Sequence, residues 1–234
     1  LKTSRHSDTP QQDTPHSRRR VSLADYEFAD LIDQQDKVRL LIDPTSSYAR
    51  AAAFAMGRAM DDVIIAAATG TAYTGETGAT TESAQTAIAA SVGSTTGLNI
   101  PKIAKAKQLL DVADVDPSIA RHIIVSPEQI NNLLNVTEVT SADFNTVKAL
   151  VHGEIDTFLG FKFTVSNRLA KSGNDRTIIA YAEDGIALAV GKDISARIDE
   201  RADKSYATQV YYCQTIGATR MEQAKVVPIT CTEA

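Results

Sequence analysis

The stretch PTSSYARAAAFAMGRAMDDVIIAAAT, residues 44–69, carries the strongest structural signal in this chain of 234 residues. Pro44 suits the first turn of a helix, and Thr45, Ser46 or Ser47 can cap that turn. With a rotation of about 100° per residue, eight apolar side chains share one face of such a helix. They are Ala49, Ala52, Ala53, Met56, Met60, Val63, Ile64 and Ala67. The stretch therefore predicts a helix of about seven turns that packs on a core along this face.

Charged residues of the same stretch fall on the side opposite the apolar face. Arg58 precedes Asp61 and Asp62 by three and four residues, a spacing at which side chains on a helix can form an ion pair. Residues 51–68 also contain too many charges for a membrane span, and we predict no membrane association. We expect the charged stripe to lie at the surface of the molecule.

The N-terminal twenty residues differ in charge from the rest of the chain. They hold five basic and two acidic residues, whereas the whole chain carries a formal net charge of -5. Residues 1–17 show no hydrophobic period, so we predict a solvated arm that becomes ordered only against a partner. Arg18, Arg19 and Arg20 can contact nucleic-acid phosphates or an acidic neighbouring subunit, and the acidic body makes the subunit the simpler partner.

Between this arm and the long helix, residues 18–43 mix apolar and charged side chains. Residues 38–42 alternate as a strand does, and residues 26–32 fit either an extended segment or one to two helical turns. We interpret the region as an extended excursion with charges of both signs. Its charged candidates for a contact with another molecule are Asp33, Asp36 and Arg39.

The rest of the chain combines two further predicted helices with alternating strand patterns, and the second of these helices starts at Ser126-Pro127-Glu128 and runs to about Leu134. Residues 70–97 are rich in Thr and Gly and predict a long loop with a short β-ribbon or a helix fragment inside it. Pro101 opens a helix to about Ala113, and we expect its three lysines to face solvent: Lys102, Lys105 and Lys107. Strand patterns occupy residues 122–125, 161–165, 178–182, 186–190, 194–198, 206–216 and 225–230. The fold class is therefore predicted as α+β, with Asp184-Gly185 as the turn of a hairpin.

Composition and motifs do not favour an enzyme. Hydrophobic residues make up 43% and charged residues 23% of the chain, as in ordinary globular proteins. The spacing from Gly70 to Gly75 matches a phosphate-binding loop, but Glu76 stands where that loop needs a lysine. We predict no catalytic residue, no cofactor and no metal site.

Histidine and cysteine are scarce and are interpreted as structural. His122 and His152 have no acid and nucleophile at a spacing typical of catalysis. Cys213 and Cys231 fit free, buried thiols. These two cysteines are too few to hold a chain of this length together by disulfides, which indicates a reducing compartment.

Taken in order, several short segments resemble the major capsid proteins of tailed bacteriophages, which have the Hong Kong 97-like fold. The resemblance is strongest to short-tailed phages, it covers residues 18–234, and the order of the segments carries it. The segments are Arg20–Asp33, Leu40–Pro44, Ala59–Asp62, Val125–Pro127, Gly160–Phe161 and Val165–Asn167.

The resemblance implies a division of the chain. Residues 1–43 correspond to an N-terminal arm and a segment of the extended loop. Residues 44–120 correspond to a peripheral domain, with a spine helix over residues 44–69. Residues 121–193 correspond to an axial domain, and residues 194–234 to return strands of the peripheral domain and a C-terminal strand.

The resemblance also implies a function. Such a protein assembles as hexamers and pentamers into an icosahedral shell around double-stranded DNA, which it contacts weakly and non-specifically. Its other partners are portal, scaffolding and decoration proteins, and its place is the virion, assembled in the host bacterial cytoplasm. The alternative is an encapsulin-like nanocompartment shell that encloses protein cargo. The charged residues predicted to contact neighbouring subunits are Arg18, Arg19, Arg20, Asp33, Asp36, Arg39, Arg58, Asp61 and Asp62.

Overall fold

A computed structural model of the chain describes residues 11, 13, 16–33, 35, 45–93, 95–134 and 157–233. Most of the predicted arm lies outside these ranges, as do the alternating segment 38–42, Asp36, Arg39 and His152. Within the described ranges there are three α-helices: α1 Thr45–Thr69, α2 Ile100–Val112 and α3 Pro127–Leu134. The predicted long helix, the helix opened by Pro101 and the helix start at Pro127 are thus present.

The strands of the described residues form three separate sheets. They are β1 Arg19–Arg20, β2 Ala24–Ile32, β3 Ala72–Thr74, β4 Thr80–Glu82, β5 Arg121–Val125, β6 Thr157–Phe158, β7 Phe161–Val165, β8 Lys171–Ser172, β9 Asp175–Ala182, β10 Ile186–Arg201, β11 Ala207–Arg220 and β12 Val226–Thr232. The combination of helices and sheets confirms a fold that mixes α and β structure. β2 settles the ambiguity over residues 26–32 as an extended strand. β3 and β4 form a short ribbon within residues 70–97.

The main core lies beneath the largest sheet, which has the order β12-β9-β5-β7-β6 with β8 also paired to β9. β5 and β7 run parallel, and the other strand pairs of this sheet are antiparallel. Helix α2 packs on the sheet because its apolar residues recur at helical spacing. The fully buried residues of this core include Ile123, Ile178, Ile179, Ile229, Ile103, Ala106, Leu110 and Leu133.

The second sheet is formed by the long strands β10, β11 and β2, in that order, and we call it the three-stranded sheet. The third sheet consists of the short strands β1, β3 and β4. β10 and β11 make a hairpin whose register runs from Ile186–Arg220 to Arg201–Ala207. Helix α1 lies on one face of this sheet, where the Nε2 atom of Gln214 donates to the carbonyl of Met56 at 3.0 Å. The buried side chains of Val210 and Ile216 in β11 face the same way as Gln214, since they are an even number of residues from it.

Helix α1 buries different faces in its two halves. Ala52 and Met56 are buried in the N-terminal half, and Ile65 and Ala68 in the C-terminal half. At 100° per residue the two pairs point in directions about 180° apart. The N-terminal half packs on the three-stranded sheet, whereas Ile65 and Ala68 belong to the main core.

The prediction that Ala53 belongs to a buried face is wrong, because Ala53 is exposed. That prediction rests on a single apolar face along the whole length of the helix. The helix instead spans two sheets and turns a different side to each, so one periodicity cannot describe it.

The predicted hairpin at Asp184-Gly185 is also wrong. β9 pairs with β5 and β12, whereas β10 pairs with β11, so the two strands flanking this dipeptide belong to different sheets. A 3-10 turn over Glu183–Gly185 redirects the chain between them. Glycine is needed there for close approach, since a Cβ atom on Gly185 would lie 3.0 Å from the Cβ of Lys225.

Candidate inter-subunit surfaces and buried polar network

The basic cluster Arg18–Arg20 engages mainly its own chain. Strand β1 pairs with β3, and Arg19 forms an ion pair with Glu82. The guanidinium of Arg20 lies 4.8 Å from the centre of the Tyr73 ring, within the range of a cation–π contact. Arg18 is exposed. Two of the three basic side chains therefore have partners within the chain, and a contact of this cluster with a neighbouring subunit stays a prediction.

The charged stripe of α1 also forms a contact that sequence spacing did not predict. Asp62 makes a two-pronged ion pair with Arg168, which follows β7, instead of the expected pair with Arg58. The hydrogen bond from Arg168 lowers the pKa of Asp62, and the same bond raises the pKa of Arg168. Arg58 and Asp61 are exposed. The Asp62–Arg168 pair links α1 to the six-stranded sheet.

Asp33 is the remaining described candidate, and it is exposed just after the end of β2. Asp36 and Arg39 lie outside the described residues. Arg168 was missed because no local spacing relates it to α1, since the two partners are 106 residues apart.

The N-terminal half of α1 exposes aromatic side chains. Phe54 is 62% exposed and Tyr48 is 40% exposed. Phe54 points in about the same direction as Ile65, eleven residues further along the helix. Ile65 reaches the main core in that direction. Phe54 thus continues the core-facing side of the helix beyond the end of the core. We call the exposed surface around Phe54 the α1 overhang.

Strand β10 forms an edge of the three-stranded sheet and is exposed over most of its sixteen residues. An edge strand presents backbone N–H and C=O groups that can pair with another chain. Its exposed large apolar residues are Leu188, Val190, Ile194 and Ile198. The α1 overhang and the β10 edge are surfaces of a kind that a second molecule covers.

A buried polar network fixes the C-terminal residues to the six-stranded sheet. The carboxylate of Glu233 is buried and accepts hydrogen bonds from Ser126 Oγ at 2.6 Å and Arg176 Nε at 2.8 Å. Gln129 Nε2 and Lys171 Nζ lie 3.4 Å and 3.2 Å from the same carboxylate. Burial alone would raise the pKa of Glu233, but these hydrogen bonds outweigh it and lower the pKa to about 2.

Lys102 corrects the prediction that all three lysines of the second helix face solvent. Its side chain is fully buried, and its Nζ donates to the carbonyls of Thr96 at 2.7 Å and Gly97 at 2.6 Å. Burial lowers the pKa of Lys102. Loop carbonyls that precede the helix need a donor, and Lys102 supplies it by pointing back along the helix. The lysine spacing alone could not reveal this, because the acceptors lie in the loop.

The two cysteines are free and buried, as predicted. Burial raises the pKa of Cys231 to about 11. His122 stacks on Tyr181 with ring centres 5.4 Å apart.

In the described ranges, no three His, Cys, Asp or Glu side chains are grouped closely enough to hold a metal ion. None of the helices found in those ranges is both long enough and apolar enough to cross a membrane.

Comparison with known families places nearly the whole chain in one group. The family model described as "Phage capsid protein" matches residues 1–233. The search of curated proteins gives no significant match.

Solved capsid structures share the fold at low sequence identity. A cyanophage P-SCSP1u capsid structure superposes with a TM-score of 0.68 at 15% identity, covering 100% of this chain and 81% of that chain. A cyanophage Pam1 capsid structure gives a TM-score of 0.64 at 16% identity, with 98% and 81% covered. A structure from Mycobacterium phage Che8 gives 0.61 at 22% identity, with 88% and 70% covered. At these identities the likeness establishes the fold.

Proposed function

The chain belongs to the phage capsid protein family, and from that premise we propose that it builds the shell of a tailed bacteriophage as its major capsid protein. The observation that carries this function is the family match over residues 1–233, together with a fold like that of phage capsids. The shell is icosahedral, and the subunits assemble into it as hexamers and pentamers. The shell encloses double-stranded DNA.

We propose that the fold is the Hong Kong 97-like fold, with residues 1–43 as arm and extended-loop segment and residues 44–120 as peripheral domain. Residues 121–193 form the axial domain and residues 194–234 the return and C-terminal strands. The packing of α1 along the β10-β11-β2 sheet supports a peripheral unit built on this helix. β10 runs across the proposed boundary at 193/194, so the two domains share that strand.

Neighbouring subunits contact the α1 overhang and the β10 edge in this proposal. Both surfaces expose apolar side chains that a folded chain ordinarily covers with a partner. The exposed charged candidates Arg18, Asp33, Arg58 and Asp61 are the ones best placed to pair across a subunit boundary. Arg19, Arg20 and Asp62 are weaker candidates, because each already has a partner in its own chain.

The further partners are portal, scaffolding and decoration proteins, and the shell forms in the host bacterial cytoplasm before it becomes part of the virion. DNA contact is weak and non-specific, because the chain carries a net negative charge that repels phosphates. The protein acts without catalysis. The family match favours a phage shell over the encapsulin-like alternative.

Particle mass tests the assembly. Light scattering and negative-stain imaging of the purified chain are expected to show closed shells. A second experiment examines shells from infected cells, where nuclease-protected DNA distinguishes a phage capsid from a protein-filled compartment. A chain that stays monomeric under all assembly conditions contradicts the proposal.

Phe54→Glu tests the α1 overhang. We expect this variant to fold with an unchanged unfolding midpoint but to lose shell formation, since a charge would be buried between subunits. Val112→Glu, at an exposed position near the end of α2, is the matched control and should still assemble. Normal shells from Phe54→Glu would remove the α1 overhang from the interface.

A further inference from the structure

Two shifts in the register of β10 bring polar side chains together on one face of the three-stranded sheet. Lys192 pairs with Thr215 and Ser195 pairs with Cys213, so β10 advances three residues while β11 advances two. In regular strands, residues three apart point to opposite faces. The extra residue, a β-bulge, instead brings Lys192 and Ser195 to the same face as Cys213.

The thiol of Cys213 is in direct contact with both of these side chains. Its Sγ lies 3.0 Å from Lys192 Nζ and 3.0 Å from Ser195 Oγ. This face is turned away from α1, because Gln214, the next residue in β11, donates to the helix. Cys213 itself is only 9% exposed, whereas Lys192 beside it is exposed, so a solute as small as hydrogen peroxide approaches the sulfur from the side of Lys192.

Charged and titratable groups reach this face from all three strands. Tyr211, two residues before Cys213, donates its hydroxyl to Glu27 of β2 at 2.9 Å. Thr215 donates to Asp25 of β2 at 2.6 Å. Each carboxylate therefore has its own hydroxyl donor, which leaves the ammonium of Lys192 as the charge in contact with sulfur.

Hydrogen bonds from Ser195 and Lys192 lower the pKa of Cys213. The bond to Glu27 favours the neutral phenol and raises the pKa of Tyr211 to about 12. A thiolate held by an ammonium and a hydroxyl is the reactive form of cysteine. Cysteines of this kind react with peroxides first among the thiols of a protein.

We propose that Cys213 is a peroxide-sensitive thiol and that Lys192 traps its oxidised form in a covalent bond between β10 and β11. This inference is independent of the proposed function. The substrate class is a hydroperoxide, with hydrogen peroxide as the simplest member.

The reaction balances in two steps. The thiolate sulfur attacks one oxygen of hydrogen peroxide, the O–O bond breaks, and the released hydroxide takes a proton from the Lys192 ammonium and leaves as water. This step leaves a sulfenic acid on Cys213 and a neutral amine on Lys192. The neutral amine of Lys192 then attacks this sulfur, an N–S bond forms, and the hydroxyl leaves with an amine proton as water. Sulfur loses two electrons, peroxide gains them, and the protein loses two hydrogen atoms in total.

Alkylation rates test the reactivity of the thiol. The full chain is treated with iodoacetamide from pH 5 to pH 10, and each cysteine is followed by peptide mass spectrometry, with labelling in urea as the full scale. We expect Cys213 to be labelled at neutral pH and Cys231 to be labelled only after unfolding. Lys192→Gln should slow labelling of Cys213 at pH 7 by roughly tenfold, and Lys204→Gln, on the same hairpin, should not. Equal rates in the wild type and Lys192→Gln overturn the proposal.

Hydrogen peroxide tests the covalent bond separately. We expect a peptide pair joining β10 to β11, lighter by two hydrogens and separated again by dithiothreitol. Lys192→Arg keeps the positive charge but has no amine that can attack sulfur, so Cys213 should stay reactive while the joined peptides disappear. Oxidation of wild-type Cys213 to sulfinic acid without joined peptides overturns the role of Lys192, and joined peptides in Lys192→Arg contradict the assigned amine.

Discussion

Cys231 and Cys213 each lie beside a lysine, but in sheets that differ in what covers them. Cys231 belongs to the six-stranded sheet, where Lys102 Nζ is 3.9 Å from its sulfur and donates to two loop carbonyls at shorter distances. Cys213 belongs to the three-stranded sheet, where Lys192 Nζ is 3.0 Å away. The pKa of Cys231 is raised to about 11 by burial, and that of Cys213 is lowered by its hydrogen bonds.

The difference teaches that the two sheets have different tasks in the molecule. Helices cover the six-stranded sheet, and its buried polar groups form hydrogen bonds within the chain. Its charged residues therefore stabilise the fold. The three-stranded sheet has one face on α1 and leaves a long edge and a polar face accessible. Its side chains therefore remain available to solutes or to other subunits.

The largest expected effect is a difference in the free energy of unfolding when the same substitution is made in each of the two sheets. Ile123 is fully buried in β5, whereas Ile198 in β10 is 50% exposed. We expect Ile123→Ala to lower the free energy of unfolding by about 4 kcal/mol, and Ile198→Ala by less than about 1 kcal/mol. Urea denaturation of the unassembled chain measures both values. Similar losses at the two positions would show that the sheets do not differ in this way.

The second effect concerns acid stability of the six-stranded sheet. The folded chain holds the pKa of Glu233 at about 2, below the ordinary value, so the carboxylate stabilises the fold at neutral pH. That stabilisation is present above about pH 4.3 and is lost as the pH falls towards 2. We expect Glu233→Gln to destabilise the chain by about 2 kcal/mol at pH 7, with the difference from wild type shrinking in acid.

Glu200→Gln provides the matched control, because Glu200 is exposed on β10. Its unfolding midpoint should follow that of the wild type at every pH. A constant difference between Glu233→Gln and wild type from pH 7 to pH 2 would contradict the assignment of this acid transition to Glu233.

The sequence predicted the elements better than it predicted their partners. Alternation located β7 and the long β11, and helical spacing located α1 and α2, because these signals are local. The turn at Asp184-Gly185 is local too, but whether its strands pair depends on β5, β12 and β11, which compete for them. Pattern alone therefore finds a turn without deciding between a hairpin and a change of sheet.

The same limit applies to the surfaces. Charge patterning identified Asp62 as a polar surface residue but could not supply Arg168, which lies 106 residues away. Apolar character placed Ala53 on a buried face, although only the arrangement of two sheets decides which side of α1 is covered. The scarcity of His and Cys was visible at once, whereas the β-bulge that brings Lys192 to Cys213 depends on strand register.

The smallest effect we expect is at the ion pair that connects the two regions. Asp62 and Arg168 are both partly exposed, so water screens much of their attraction. Asp62→Asn removes the charge but keeps the shape of the side chain, and we expect it to lower Tm by about 1 °C at low salt. Asp61→Asn, at the exposed neighbouring position, should change Tm less.

Salt separates the ion pair from a purely structural role of Asp62. Added sodium chloride should bring the Tm of wild type and Asp62→Asn together, because ions screen exposed charges. In a double-mutant cycle with Arg168→Gln, the second substitution should cost little once Asp62 is neutral. If the two losses instead add fully and persist in salt, α1 is held to the six-stranded sheet by apolar packing at Ile65 and Ala68 alone. The two sheets would then differ in burial, and no ion pair would contribute to the contact between α1 and the six-stranded sheet.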